Sequence, residues 1–320
     1  MIRIAINGFG RIGRRVARLM DLHPEIKLVA VNDLADKHTL LHLLQYDSTH
    51  GFWQGNLSDV QFLQAQNIAN LPWKDLQIDL VLECSGVNKT KAILQKHLDA
   101  GAKKVLLSAP PEQNDLDIVI LGVNESDALW AEPMLSAGSC TTYCAAPIIE
   151  VLSNHWQIEQ VFINTVHSYT SDQRLQDAPH KDLRRARAAA ESIIPTTTGA
   201  GKALAQVFPA LAGKIQASGV RVPVKNCSLN DMSILVKEPV STEKLKQTLQ
   251  NATQEARFKH ILAYNTLPLV STDFLGNTNA CIVDDEFCLA MGNFLKVFAW
   301  YDNETGYAKR LLETALQWHK

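Results

Sequence analysis

Cys140 stands in Ser136-Ala137-Gly138-Ser139-Cys140-Thr141-Thr142-Tyr143-Cys144, where small and hydroxyl residues lead into an apolar run that holds Ile148, Ile149, Val151 and Leu152. This pattern predicts a helix that begins at the cysteine. A thiol at a helix N-terminus lies beside N–H groups without helical partners and at the positive end of the helix dipole. Both favour the thiolate, which is the nucleophilic form. Cys144 falls one turn further along the same face and reads as packing, because buried cysteines behave as small hydrophobes. Pro147, inside the expected helix, removes one hydrogen bond and is expected to bend it.

A second chemistry is written at the start of the chain. Ile2, Ile4 and Ile6 alternate with Arg3 and Ala5 as in a strand, and the run continues into Asn7-Gly8-Phe9-Gly10-Arg11-Ile12-Gly13. Val16, Leu19 and Met20 then recur at helical spacing. A G-x-G-x-x-G between strand and helix offers a tight turn and a helix N-terminus to a pyrophosphate. Leu28-Val29-Ala30-Val31 is a further strand that ends at Asn32-Asp33, so Asp33 follows Gly13 by 20 residues. A carboxylate there holds a ribose 2′-OH and repels a 2′-phosphate, which favours NAD over NADP.

The elements that must position these groups alternate along the first half. Ile78–Cys84, Lys104–Ser108 and Ile118–Gly122 read as buried strands, and Lys89–Ala100 as a helix. Strands alternating with helices imply a doubly wound parallel sheet with its ligand at the carboxyl ends of the strands. The chain has 320 residues, enough for two domains, and 46% hydrophobic with 20% charged residues is a globular balance. With 31 Lys+Arg against 33 Asp+Glu, there is no excess of positive charge with which to hold nucleic acid or an anionic membrane. The basic run Lys181-Asp182-Leu183-Arg184-Arg185-Ala186-Arg187 is too small an exception to change that reading. No apolar run approaches the roughly 20 residues of a membrane helix, and six cysteines are too few for a disulfide scaffold. The start resembles no signal peptide, and the expectation is a cytoplasmic protein without a metal site.

Taken together, INGFGRIGR, SAGSCTTYC, HSYTSDQRLQDAPHKDLRRARAAAESIIPTTTGAGKA, RVPV and WYDNETGY make the whole chain resemble the phosphorylating glyceraldehyde-3-phosphate dehydrogenase family. The resemblance implies a Rossmann-type NAD-binding domain over 1–139, with a C-terminal helix over 303–320 packed back on it. It also implies an α+β catalytic domain with an antiparallel sheet over 140–302. The implied activity is oxidation of glyceraldehyde 3-phosphate through a thiohemiacetal and a thioester, with inorganic phosphate as acyl acceptor. Cys140 is the implied nucleophile and His167 its base. NAD contacts carried over are Gly8, Gly10, Arg11, Ile12, Gly13, Asp33, Ser108 and Asn303, and Pro179 matches the NAD-type loop. The substrate phosphate site matches Thr170, Asp172 and Arg221, with Asp172 orienting the arginine. The site for attacking phosphate matches Ser139, Thr141, Arg185, Thr198 and Gly199. Homotetramers are implied as well.

Two departures stand out. Tyr143 replaces the asparagine of the family's S-C-T-T-N-C, three residues from the nucleophile, which puts the local geometry of Cys140 in question. Only 19 residues separate Gly51 from Leu71 where the family has a longer hairpin region, which leaves Gln64-Ala65-Gln66-Asn67 beside the expected adenine position. These changes keep open an NAD-binding paralogue with impaired chemistry. The other rival is erythrose-4-phosphate dehydrogenase, which Asp33-Leu34-Ala35-Asp36 and Trp73 resemble. That branch typically lacks Tyr-Thr after the histidine and the Thr-Thr-Gly site, whereas this chain has Tyr169-Thr170 and Thr196-Thr197-Thr198-Gly199. Glyceraldehyde 3-phosphate is therefore the expected substrate.

Charge repulsion at Asp33 is expected to disfavour NADP by a few kcal/mol at most in a partly solvated site. Equal kcat/KM for the two cofactors would contradict this. The shortened 51–71 segment further predicts weaker NAD binding than in full-length relatives, which calorimetry measures directly.

Overall fold

The computed structural model describes residues 1–319 and divides into two compact units. The first comprises Met1–Val119, Asn124–Ser139 and the stretch from Ala308 onward. Its elements are β1 (Ile2–Asn7), α1 (Arg11–Met20), β2 (Ile26–Asn32), α2 (Lys37–Gln45), β3 (Tyr46–Asp47), β4 (Gly51–Phe52), β5 (Gln61–Leu63), β6 (Leu80–Glu83), α3 (Lys91–Asp99), β7 (Lys104–Leu107), α4 (Asp127–Ala131) and β8 (Met134–Ser136). A six-stranded sheet runs β5-β2-β1-β6-β7-β8 with every neighbouring pair parallel. Its central strands are buried over consecutive residues rather than alternate ones, because helices cover both faces of such a sheet. Ala5, Val29, Val81, Leu94 and Val105 pack around Trp73, which is fully buried.

The run Ile118–Gly122 is not a strand. Ile118 makes a single bridge to Ser136, and Gly122 turns the chain at φ +79°. The sixth place in the sheet goes to Met134–Ser136, which pairs with Val105–Leu107. Apolar content alone could not separate the two segments, since both are buried.

Sterics explain the glycines of the turn after β1. Gly8 has φ +91°, and a Cβ there would lie 2.4 Å from the Ser85 backbone. A Cβ on Gly13 would lie 2.3 Å from the Gly8 carbonyl oxygen, so that glycine lets α1 sit close on β1. At Gly10 a Cβ would meet nothing within 4 Å. The floor of this region is a buried polar network. The Glu83 carboxylate accepts from Asn7 Nδ2 at 2.6 Å, the Ser85 N–H at 2.8 Å and Asn88 Nδ2 at 3.1 Å. His97 Nε2 lies 3.1 Å from it, and Trp73 Nε1 donates to His97 Nδ1 at 2.9 Å, which leaves Nε2 as the protonated nitrogen.

The second unit comprises Ile120–Val123 and Cys140–Tyr307. It holds α5 (Cys140–Ser153), β9 (Ile158–Ser168), β10 (Ile194–Thr197), α6 (Ala200–Val207), β11 (Ile215–Val222), β12 (Ser228–Val236), α7 (Thr242–Ala252), β13 (Leu262–Asn265), β14 (Cys281–Asp284), β15 (Leu289–Met291) and β16 (Phe294–Tyr301). The sheet order is β10-β11-β9-β12-β16-β14-β13, with β15 on β16. It is mixed. Most pairs are antiparallel, but β9–β11 and β13–β14 are parallel because each is joined by a long crossover. Strands β12 and β16 alternate buried and part-exposed residues, so one face is covered, and α5 packs against β9, β12, β14 and β16. The helix runs unbroken through Pro147.

The last helix, α8 (Thr305–His319), is started by Asp302, whose carboxylate accepts the Glu304 and Thr305 N–H groups at 2.9 and 2.8 Å. From Ala308 it belongs to the first unit, where Trp318 Nε1 donates to the Trp130 carbonyl at 3.0 Å and Lys104 Nζ to the Trp318 carbonyl at 2.6 Å.

Gly13→Ala is expected to force β1 and α1 apart and to lower stability by about 1–3 kcal/mol, the usual cost of overpacking. Urea denaturation with NAD titration checks both the stability and the turn.

Candidate active site

Cys140 is the first residue of α5, a helix buried from Thr141 to Ile149. Its Sγ lies 3.5 Å from His167 Nε2. His167 is near the end of β9, buried, and in register with Arg221 of β11. Its Nδ1 lies 2.7 Å from both the Ser168 carbonyl and Arg221 Nη1, and Nε2 faces the thiol.

Tyr301 of β16 links the two sides of the site. Its hydroxyl is 3.0 Å from Thr141 Oγ1 and 2.7 Å from Thr165 Oγ1, and its ring stands edge-on to His167 with centroids 6.0 Å apart. Sequence reasoning missed this residue, although it lies in WYDNETGY, because a tyrosine at a strand end carries no signal of what it will touch.

Burial dominates the electrostatics. Desolvation pushes the Cys140 thiol up, and the Arg221 charge and hydrogen bonding by Thr141 oppose this without overcoming it. Desolvation, then Arg221, depresses His167 to about 3. Burial thus opposes charge on both members of the pair, against the pull of the helix N-terminus on the thiol. The helix dipole is a modest effect beside removal of the charge from water.

The two arginines differ from expectation. Asp172 does not orient Arg221; it pairs with Arg185. Arg185 also donates to Thr196 Oγ1 at 2.9 Å and the Thr197 carbonyl at 3.1 Å, and Asp182 lies 3.6 Å from its Nε. The reason is position: Asp172 and Arg185 both lie on the loop segment between β9 and β10, whereas Arg221 is fixed by strand register beside His167. Arg221 Nη1 donates to the Ser168 carbonyl at 2.9 Å and sits 2.7 Å from His167 Nδ1. Among the described residues Arg221 forms no ion pair.

Of the other anticipated phosphate ligands, Gly199 caps α6 and Thr198 Oγ1 accepts the Ala200 N–H at 3.3 Å. The Thr170 N–H donates to Gln173 Oε1 at 3.4 Å. Thr141 is buried with its hydroxyl on Tyr301 and its carbonyl on Asn230 Nδ2, so its side chain is not presented with theirs. Ser139 is the last residue of its segment of the first unit. Within the basic run, Arg187 makes a loop ion pair with Asp177 at 2.8 Å.

In the first unit, Asp33 Oδ2 accepts the Phe9 N–H at 2.7 Å, which places this carboxylate against the glycine turn. The Arg11 guanidinium pairs with Asp47 at 2.5 Å, so Arg11 and Ile12 offer the turn their first-turn amides. Ser108 follows β7, and its N–H donates to the Glu83 carbonyl at 3.0 Å. Asn32 clamps Ala65 by both amide atoms, at 2.9 and 3.0 Å, which fixes the shortened segment beside β2. The open space at Gly10, the amides of α1 and the Asp33 carboxylate fit a dinucleotide. In the second unit, the Asn303 carbonyl accepts from Ser168 Oγ at 3.0 Å and Ser228 Oγ at 2.9 Å, which fixes the orientation of its amide.

The sequence profile of the glyceraldehyde 3-phosphate dehydrogenase C-terminal domain matches residues 139–303, and that of the family's NAD-binding domain matches residues 2–91. The chain belongs to the glyceraldehyde 3-phosphate dehydrogenase family. It is 44% identical to glyceraldehyde-3-phosphate dehydrogenase of Geobacillus stearothermophilus, over 98% of this chain and 97% of that one. Identity is 47% with glyceraldehyde-3-phosphate dehydrogenase 2 of Trichormus variabilis, over 98% of both chains, and 43% with glyceraldehyde-3-phosphate dehydrogenase 1 of Bacillus subtilis, over 98% and 97%.

Tyr143 packs inward. It is fully buried, its hydroxyl accepts the Leu121 N–H at 3.4 Å, and its ring meets Tyr307 edge-on. Cys144 is likewise buried, with its thiol towards the Ala299 carbonyl at 3.7 Å.

Tyr143→Asn is accordingly expected to lower stability by about 2–4 kcal/mol through the cavity it leaves, without speeding iodoacetamide alkylation of Cys140. His167 also has a stability signature. It binds no proton when folded until about pH 3, whereas an unfolded histidine binds one below about 6.5. Between these values the unfolded chain holds the extra proton, so stability rises with pH. His167→Asn should flatten that slope in denaturation curves recorded from pH 4 to 7.

Proposed function

We propose that this chain is an NAD-dependent phosphorylating dehydrogenase of glyceraldehyde 3-phosphate, with Cys140 as nucleophile and His167 as base. The observation that carries the assignment is the 3.5 Å approach of Cys140 Sγ to His167 Nε2, with Nδ1 of the same ring against the Ser168 carbonyl and Arg221. Sulfur attacks the aldehyde carbon as His167 Nε2 takes the thiol proton; Nε2 returns that proton to the alkoxide, giving the thiohemiacetal, and takes it back from the hydroxyl as hydride leaves. The Cys140 N–H at the start of α5 favours the oxyanion. Bound NAD would supply the hydride acceptor, and Asn303 would hold its nicotinamide end. Gly8, Gly10, Arg11, Ile12, Gly13, Asp33 and Ser108 hold the rest of the dinucleotide. Inorganic phosphate then cleaves the thioester to give the acyl phosphate.

Arg221 and Thr170 receive the substrate phosphate. Arg185, Thr198, Gly199 and Ser139 receive the attacking phosphate, with Asp172 assigned to holding Arg185. Guanidinium, hydroxyl and glycine N–H groups are the donors that phosphate oxygens accept. Assembly as a homotetramer is supported by the apolar residues exposed on one chain, Phe162 and Phe294 on the sheet and Leu175, Leu183 and Ile193 on the loop before β10. Among the described residues no helix is long and apolar enough to cross a membrane, in keeping with a cytoplasmic enzyme.

A steady-state assay of glyceraldehyde 3-phosphate and erythrose 4-phosphate, with NAD or NADP and with or without inorganic phosphate, tests the reading. The expected result is highest kcat/KM with glyceraldehyde 3-phosphate, NAD and phosphate. Cys140→Ser is expected to abolish turnover with NAD binding retained, and His167→Asn to lower kcat by about 10²–10⁴, the usual share of general base catalysis. An enzyme that prefers erythrose 4-phosphate, or that turns over neither aldehyde, would overturn the assignment.

A further inference from the structure

We propose that Glu83 is a positioning residue for NAD. One of its carboxylate oxygens fixes the turn after β6, and the other fixes a row of side-chain amides that runs beneath the glycine turn to the segment after β5. This rests on the reading that the glycine turn of the first unit holds NAD.

Strand register puts the row in place. Asn32, Asn7 and Glu83 end β2, β1 and β6, are buried, and stand opposite one another in the parallel sheet. Residues in register on parallel strands project from one face, and here the side chains join. Asn7 Nδ2 donates to Glu83 Oε2 at 2.6 Å, Asn32 Nδ2 to Asn7 Oδ1 at 2.7 Å, and the Ala65 N–H to Asn32 Oδ1 at 2.9 Å. With neighbouring strands about 4.8 Å apart, the row spans about 14 Å from β6 to β5. Its members lead directly into the stretches that would meet a dinucleotide: Gly8 follows Asn7, and Asp33 follows Asn32.

The direction of these bonds is set from the buried end. An indole N–H can only donate, so Trp73 makes His97 Nδ1 an acceptor and Nε2 the donor to Glu83, at 2.9 and 3.1 Å. Glu83 then accepts from His97, Asn7 and Asn88 on Oε2 and from the Ser85 N–H, at 2.8 Å, on Oε1. Only an ionised carboxyl accepts on both atoms without donating. Burial pushes Glu83 up, but hydrogen bonds from His97, Ser85 and Asn7 outweigh it and hold the carboxyl below its ordinary range.

Both ends bear on the cofactor. A Cβ on Gly8 would lie 2.4 Å from the Ser85 backbone, so the turns after β1 and β6 are in contact and Ser85 cannot shift without Gly8. A glutamine at position 83 can keep its oxygen with the three donors on the Oε2 side. Its NH2 then faces the Ser85 N–H, donor against donor, and that end gives way. Removing the Asn7 side chain releases the other end, Asn32 and with it Ala65.

The test is the calorimetric Kd for NAD of the full-length protein, beside hydrogen exchange without NAD and steady-state kinetics with glyceraldehyde 3-phosphate and phosphate. Glu83→Gln is expected to weaken NAD about tenfold in Kd and KM, the share of one hydrogen bond to a charged group. Exchange should quicken in 84–88, and kcat at saturating NAD should hold, since Cys140 and His167 belong to the second unit. Asn7→Ala should also weaken NAD, with exchange quickened in 64–67. Leu135→Ala, a buried change on β8 away from the row, should lower stability and leave Kd and KM at wild-type values. If Glu83→Gln binds NAD no more weakly than Leu135→Ala, Glu83 is a core residue only and the proposal fails. It fails too if kcat falls while Kd holds. Should Glu83→Gln not fold, the Kd of Asn7→Ala decides by the same comparison. A wild-type protein that binds no NAD would instead remove the reading beneath it.

Discussion

The helix that begins at Cys140 is buried almost throughout, and that placement governs everything else in the catalytic unit. A helix packed on four strands of the sheet holds its first residue firmly, so Sγ and Nε2 are set at 3.5 Å by packing rather than by their own attraction. The same burial removes water from both groups and opposes charge on either. A site positioned this way has its geometry set in advance of any ligand.

The two arginines are held differently. Arg185 is saturated by Asp172, Asp182, Thr196 and Thr197, all brought together by the loop before β10 and by β10 itself. Arg221 has a backbone carbonyl and an imidazole for neighbours. A guanidinium with no carboxylate in contact keeps more of its donors for a ligand than one already shared with a loop. The nucleotide unit relies far less on charge. Its turn is shaped by close backbone approaches at Gly8 and Gly13, and beneath it Glu83 is held by Asn7, Ser85, Asn88 and His97. A buried carboxylate with that many donors stays ionised because hydrogen bonds replace its water.

The departures from the family pattern were absorbed by packing. Tyr143 is much larger than the asparagine it replaces, and the fold gives it a place among buried groups, with Leu121 and Tyr307 as partners. The short segment after Gly51 still ends in a strand on β2, because Asn32 binds Ala65 through both its donor and its acceptor.

Most of the architecture was legible in the chain itself. The alternation at Ile2–Ile6, the glycine spacing and the terminal Asp33 dictate a strand, a turn and a helix, because these depend on neighbours a few residues apart. The helix at Cys140 was legible for the same reason, from small residues followed by an apolar run. Local pattern failed where two buried segments competed for one place, as Ile118–Gly122 did with Met134–Ser136. It failed again wherever partners lie far apart in sequence. That Asp172 would choose Arg185, that Arg221 would lie beside His167, and that Tyr301 would join Thr141 to Thr165 all follow from strand register and loop course. The protonation of the pair was also a tertiary matter. A helix N-terminus is visible in sequence and argues for thiolate, but desolvation is a property of everything packed around the sulfur, and here it is the larger effect.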